Sequence, residues 1–440
     1  MSRYIEKLNI GRGFRGTSPD YIMVQPLFKV ITVEKGLEIF HQSFDFNHFF
    51  ENRDEQVDLL HACGRVIAEN IASNENIPGF NRSTMDGYAV KARDTYGVSD
   101  SLPAYLDLVG EIKMSEKPSF LLQDGQAARI STGGMLPEGS NAVVMLEYTD
   151  TINSTMLEIS HSVAPWENVL REDEDIRKNE IILKKGHRLR PQDIGLLAAI
   201  GWGKVSVFRK PVIAIISTGD EIIPIDSQLA PGQVRDINTY TLGAAIEQMG
   251  GIPYYQGIIP DDELVLEIKL RKCLDKKEID LVLISGGSSV GTRDYTLKVL
   301  SGLGPPGILF HGLALKPGKP TIISLNQQKV FIGLPGHPVS AMMVFENVVR
   351  SIISALKGEV VHFGEQKTID ALLEKNVFSD AGREEYVRVL LAKKDGQIWA
   401  VPVLGKSGVI SSLARADGYI IIGLNQEGLY QGQKVVVKLF

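Results

Sequence analysis

The chain has 440 residues, 44% of them apolar and 23% charged, and a formal charge of −6. That length exceeds what one hydrophobic core supports, so about two to four domains are expected, with the composition of an ordinary soluble globular protein. The mild negative charge offers no basic stripe for nucleic acid, and no apolar run approaches the roughly 20 residues of a membrane span, so neither kind of partner is expected.

The two cysteines, Cys63 and Cys273, form no CxxC, and the histidines form no HExxH or HxxxH pair. A disulfide framework or thiolate metal centre is therefore not expected, and a reducing compartment fits. The first residues carry charge but no apolar stretch of the signal-peptide kind, so a cytoplasmic location is expected.

Residues 1–30, rich in Gly and Arg, read as an extension. "VEKGLEIFHQSFDFNHFF" (33–50) and "VDLLHACGRVIAENI" (57–71) both have helical spacing. Between Met85 and about Glu174, short alternating runs such as "YLDLVGEIK", "QAARIST" and "NAVVMLEYTD" predict a β-rich region. Dense mixed charge from Arg171 then leads into a helix ending near Trp202. From about Arg209 to Gly358, buried-type strands alternate with helical segments: "KPVIAIISTGDE", "DINTYTLGAAIEQMGG", "IPYYQGIIPDD", "ELVLEIKLRKCL" and "IDLVLISGG". The helix "DYTLKVLSGLG", the strands "PTIISL" and "KVFIGLPG", and a long helix from Pro338 complete the series. That alternation predicts a parallel sheet with helices on both faces. "EEYVRVLLAK", "QIWAVPV", "GYIIIGL" and "QKVVVKLF" predict a small C-terminal β-domain.

Ligands of such sheets bind outside the carboxyl ends of the strands. Three strand ends here, "STGDE" (217–221), "IPDD" (259–262) and "SGGSSVGTRD" (285–294), couple flexible or proline-stiffened backbone to carboxylates. Gly286, Gly287 and Gly291 allow main-chain N–H groups to approach an anion. "LKPGKPT" sets Lys316 and Lys319 on a rigid turn, and "GLPGHPVS" stiffens its loop with Pro335 and Pro338 around Gly336. Glycine nests and lysines attract anions, whereas Glu221, Asp261 and Asp294 repel them. A hard divalent cation between the two reconciles them, since Mg²⁺ takes oxygen from one or two carboxylates and from substrate phosphates. A phosphorylated ligand and chemistry at phosphorus or an oxyanion follow.

"FNRSTMDGYAV", "RISTGGMLPEGSNAVVMLE", "STGDE", "SGGSSVGTRDY", "LALKPGKP" and "GLPGHPVS", in this order, resemble the MoeA/gephyrin family of molybdopterin molybdenumtransferases. The resemblance runs from about Val33 to Phe440. It implies insertion of molybdate into adenylylated molybdopterin with release of AMP, assisted by Mg²⁺, on an elongated homodimer. It also implies a linking domain (53–84 and 175–208), a β-rich domain (85–174), a three-layer α/β molybdopterin-binding domain (31–52 and 209–358) and a C-terminal β-barrel (359–440). By the resemblance, Glu221 and Asp294 are catalytic and metal-binding, and Asp261 is catalytic beside the pterin. Gly219, Ser285, Gly286, Gly287, Ser289, Gly291, Lys316, Pro335, Gly336 and Pro338 contact the substrate. Asp86, Thr132 and Asp175 reach in from the partner subunit.

The pattern departs in two places: Gly312, preceded by His311, stands where the family carries a lysine, and His337 stands for its usual asparagine. Both fall at the implied anion site. The alternatives on the same residues are a non-catalytic carrier or scaffold for the cofactor, a tungstate-preferring homologue, and a phosphatase or nucleotidyl-transfer enzyme.

Overall fold

The computed structural model describes residues 30–286, 295–359 and 366–440. Apart from Val30, the expected N-terminal extension lies outside them, as do Gly287, Ser289, Gly291 and Asp294.

The strand Val212–Thr218 is buried along nearly its whole length, and Ile279–Ser285 and Lys329–Leu334 throughout. Successive side chains of a strand point to opposite faces, so each apolar run feeds two cores. Ile213, Ile215, Leu281 and Leu283 pack with Leu242 and Ile246 of the helix Asn238–Gln248, with Leu37 and Phe40 of the helix Val33–Ser43, and with the long C-terminal helix. On the other face, Ala214, Ile216, Val282 and Ile284 pack with Leu266 and Leu270 of Glu263–Asp275 and with Val299 and Leu300 of Tyr295–Gly302.

Across the sheet the order is Ile252–Ile259, Val212–Thr218, Ile279–Ser285, Lys329–Leu334, Ile322–Asn326, Pro306–His311. The first four strands are mutually parallel, Ile322–Asn326 runs antiparallel to them, and Pro306–His311 pairs antiparallel with Ile322–Asn326, so the sheet is mixed rather than all parallel. The reason is local. Gln327 and Gln328 have φ of 46° and 62°, the left-handed pair that closes a two-residue hairpin. Without Asn or Gly in those positions, the hairpin carries no sequence signal.

The segment Val57–Ile71 is not a helix. It forms part of the strand Asp54–Asp58, a single turn Leu59–His61, and then extended chain. Its backbone bonds go to distant residues: Leu59 N to Gly203 O, Gly64 N to Leu189 O and Ile67 N to His187 O. The helix-like apolar spacing instead builds a separate core with Leu189, Leu197 and Val205. The helix expected over 33–50 is interrupted at Phe44, and Asp45 caps the short continuation Phe46–Phe49.

A six-stranded sheet covers the region from Gly87 to Ile159. In the C-terminal region, Glu384–Lys394, Gln397–Pro402, Thr368–Leu373, Lys434–Leu439 and Gly418–Ile422 pair in turn, and the last returns to the first to close a barrel. Thr368–Leu373 went unpredicted. Leu315–Lys316 adds to this barrel by pairing with Glu384 and Glu385. The helix Pro338–Leu356 is apolar and long enough to cross a membrane, but 72% of its most apolar window is buried inside the protein, as in a core helix.

Candidate active site at the strand ends and the barrel cleft

Register brings the expected residues to one level. Thr218 lies opposite Ile259, Ser217 opposite Ser285, and Ser285 opposite Leu334. The turns leaving these strands therefore share a rim. Gly219 N donates to Ile259 O at 3.3 Å, Asp261 N to Asp220 Oδ1 at 3.1 Å, and Gly286 N to Leu334 O at 3.2 Å.

Two glycines are required here. Gly286 has φ of 111°, and a Cβ on it would stand 2.3 Å from Thr218 O. Gly219 has φ of 153°, and its Cβ would stand 2.8 Å from Glu221 Oε2, so the Glu221 carboxylate folds back over bare backbone.

The two aspartates of "IPDD" separate in role. Asp262 accepts from Val265 N at 2.9 Å and caps the helix Glu263–Asp275, while Asp261 accepts from the Thr218 hydroxyl at 2.9 Å across two strand ends. Glu221 is exposed and Asp261 half-buried. Among the described residues no group of three or more His, Cys, Asp or Glu is arranged to hold a metal. Mg²⁺ needs only one or two carboxylates when water and phosphate oxygens complete its shell, so the exposed Glu221 carboxylate fits such a sparse site.

The sequence reading missed the residues behind this rim. The buried Ser217 hydroxyl donates to Asp236 Oδ1 at 2.9 Å, and Thr239 N donates to the same oxygen at 3.1 Å. Asn238 Nδ2 donates to Ser285 Oγ at 2.5 Å and to Gly336 O at 2.8 Å. Pro335 is buried, Gly336 exposed, and Pro338 begins the following helix.

Lys316 faces a different surface. Its ammonium lies 3.0 Å from Glu385 and 3.6 Å from Asp380, on the edge of a cleft of about 340 Å³ between the α/β region and the barrel. Pro317, Tyr386, Arg388, Lys406 and Ser407 also line it. Arg388 is only 5% exposed; it donates to Gly405 O at 2.9 Å, and its Nε has no partner among the described residues. A buried guanidinium with spare donors is a strong attractor for an oxyanion. Burial, then Glu384, pushes the Tyr386 phenol above its ordinary value, so it stays a neutral donor. The cleft adjoins the rim through the loop of residues 335–338. Ser407 Oγ lies 3.2 Å from His337 Nδ1, and Val339 N donates to Ser407 O at 3.1 Å. The substituted His337 is thus a wall between the two surfaces, whereas His311 is buried and Gly312 is engaged through its backbone with Ile31 and Thr321.

Asp86, Thr132 and Asp175 are all exposed. Thr132 N donates to Asp86 Oδ1 at 2.7 Å, and Asp175 lines an open concavity of about 560 Å³ on the loop Asp173–Glu180. Among the described residues, no hydrogen bond or ion pair joins these three to the strand ends.

A doubly wound core with a glycine and carboxylate rim at its strand ends defines a multidomain α/β protein of the ligand-binding class. Comparison sharpens this. Residues 31–201 match the MoeA N-terminal region (domains I and II), 214–355 a probable molybdopterin-binding domain, and 370–440 the MoeA C-terminal region (domain IV). The molybdopterin molybdenumtransferases of Nostoc sp. and Haemophilus influenzae are 33% and 31% identical, over 87% and 89% of this chain and 88% and 95% of theirs. A crystal structure of a Pyrococcus horikoshii molybdopterin biosynthesis MoeA protein covers 93% of the chain and 99% of its own, with 38% identity and a TM-score of 0.77. The chain belongs to the MoeA family of molybdopterin molybdenumtransferases.

Proposed function

We propose that this chain acts in the cytoplasm as a molybdopterin molybdenumtransferase, taking adenylylated molybdopterin and molybdate to molybdenum cofactor and AMP. The observation that carries the reading is the contiguity of two unlike surfaces: a carboxylate and glycine rim, and a cationic cleft sharing the loop at His337.

In this reading, Glu221 and Asp294 hold Mg²⁺, which supplies neutralisation of the phosphate oxygens. Asp261, held by the Thr218 hydroxyl, orients the oxygen that attacks phosphorus. Gly219, Ser285, Gly286, Gly287, Ser289, Gly291, Pro335, Gly336 and Pro338 bind the substrate, and the bare backbone at Gly219 and Gly286 lets it approach the sheet closely. Arg388, Lys316 and Ser407 take the oxyanion in the cleft. Asp86, Thr132 and Asp175 act on the rim of a second copy in a homodimer, which accords with their exposure on this chain.

The test is AMP release from adenylylated molybdopterin with Mg²⁺, comparing molybdate and tungstate across a concentration series. Release that ignores both oxyanions overturns the reading, and a preference for tungstate identifies the homologue that the His337 and Gly312 departures raise. The dimer is tested separately. Asp86→Asn and Glu221→Gln chains, each inactive alone, should regain about a quarter of full activity when mixed, because half the dimers carry one intact site. No recovery means that the site is built within one chain.

A further inference from the structure

Two sets of hydrogen bonds lie beneath the rim, joined through the backbone of residues 236–239. Asp236 ties the start of the helix Asn238–Gln248 to the strand Val212–Thr218 through Ser217 and Thr239. That anchor fixes Asn238, which is only 6% exposed. Its Nδ2 spends both hydrogens, one on Ser285 Oγ and one on Gly336 O. The amide cannot be reversed, because its carbonyl oxygen would then face the Gly336 carbonyl. Ser285 and Gly336 begin and end different turns, the first leaving Ile279–Ser285 and the second leaving Lys329–Leu334. Without the amide, the described bond between these turns is Gly286 N to Leu334 O, which lies deeper than Gly336.

We propose that Asn238 is a positioning residue for the substrate: it clasps the Ser285–Gly286 turn to the Pro335–Gly336 turn and so sets the width of the seat between them. This rests on the proposed transferase reading for the identity of the substrate. Asn238 Oδ1 is buried without a partner among the described residues, so the residue accepts an unfavourable acceptor to keep both donors directed at the turns. A residue that merely filled space there would need neither donor.

The experiment measures the Kd of adenylylated molybdopterin by calorimetry, its KM and kcat by AMP release, and thermal melting. The proteins are wild type, Asn238→Ala, Asn238→Asp, Ser285→Ala and the Asn238→Ala/Ser285→Ala double variant. Asn238→Ala should raise Kd and KM together by about tenfold, the scale of one or two hydrogen bonds. Ser285→Ala, which removes one arm of the clasp, should raise them by less. The double variant should be no worse than Asn238→Ala, since both act through one contact. Asn238→Asp should be worse than Asn238→Ala, because a carboxylate repels the Gly336 carbonyl and the anionic ligand. An unchanged Kd with a lowered melting temperature would overturn the proposal, as would multiplicative effects in the double variant. If Asn238→Ala does not fold, an unaltered Kd in Ser285→Ala overturns it equally. Wild-type protein that binds the substrate without releasing AMP refutes the transferase reading alone, and the Kd series still decides the clasp.

Discussion

The rim and the cleft of this protein are adjoining surfaces built by opposite means. The rim is made where consecutive strands of one sheet end, so each contribution is a short local motif: "STGDE", "IPDD", "SGG" and "GLPG". The cleft is made where Lys316 of the α/β region meets Glu385, Arg388 and Ser407 of the barrel. The rim carries negative charge over bare backbone, whereas the cleft carries positive charge, part of it buried. A surface made by local turns can announce itself in sequence. One made by docking two sheets cannot.

The largest effect should come from the rim. On the proposed metal- and phosphate-binding role of Glu221, Glu221→Gln is expected to cut AMP release by about a hundredfold or more, with melting nearly unchanged because the side chain is exposed. Intact turnover would remove Glu221 from the mechanism. Gly286→Ala should instead break the rim structurally. A Cβ 2.3 Å from Thr218 O at φ of 111° should cost roughly 2–3 kcal/mol in urea unfolding. In the cleft, Arg388→Met should raise the molybdate concentration for half-maximal release about tenfold or more while costing little stability, because an apolar side chain of similar length suits the buried position. A stability loss with unchanged molybdate dependence would make the cleft an ordinary domain contact.

The smallest expected effect lies outside both surfaces. Asp193 is buried, which alone would raise its pKa, but hydrogen bonds from Arg190 and His187 outweigh burial and hold it well below the ordinary value of 3.8. Its folded-state pKa is depressed, so the stabilisation is full above about pH 4 and fades as pH falls through the lower folded value. Roughly 2 kcal/mol should disappear across that acid window. Asp193→Asn should flatten this part of a pH-dependent unfolding series while leaving molybdate dependence untouched.

Much of the α/β region was legible because its strands are uninterrupted apolar runs and its helices are amphipathic. The hairpin at Gln327–Gln328 was not, since its left-handed turn lacks the residues that normally favour one. The false helix over Val57–Ile71 arose because apolar residues three or four apart also suit a chain whose backbone pairs with segments well over 100 residues later. Arg388 did leave a trace, as a charge inside the apolar strand "EEYVRVLLAK", and that trace could have been followed. Asn238 left none: its importance rests on Ser285 and Gly336, which are remote in the chain.

Local chemistry, written in the order of residues, determined the class of fold, the ends of the strands, and the glycines and carboxylates that gather there. Folding alone decided which lysine pairs with the barrel, which arginine is buried against the cleft, and which asparagine ties two turns together. A turn is specified by its own few residues, whereas a charge or an amide acquires its role from neighbours that only chain closure brings within 3 Å.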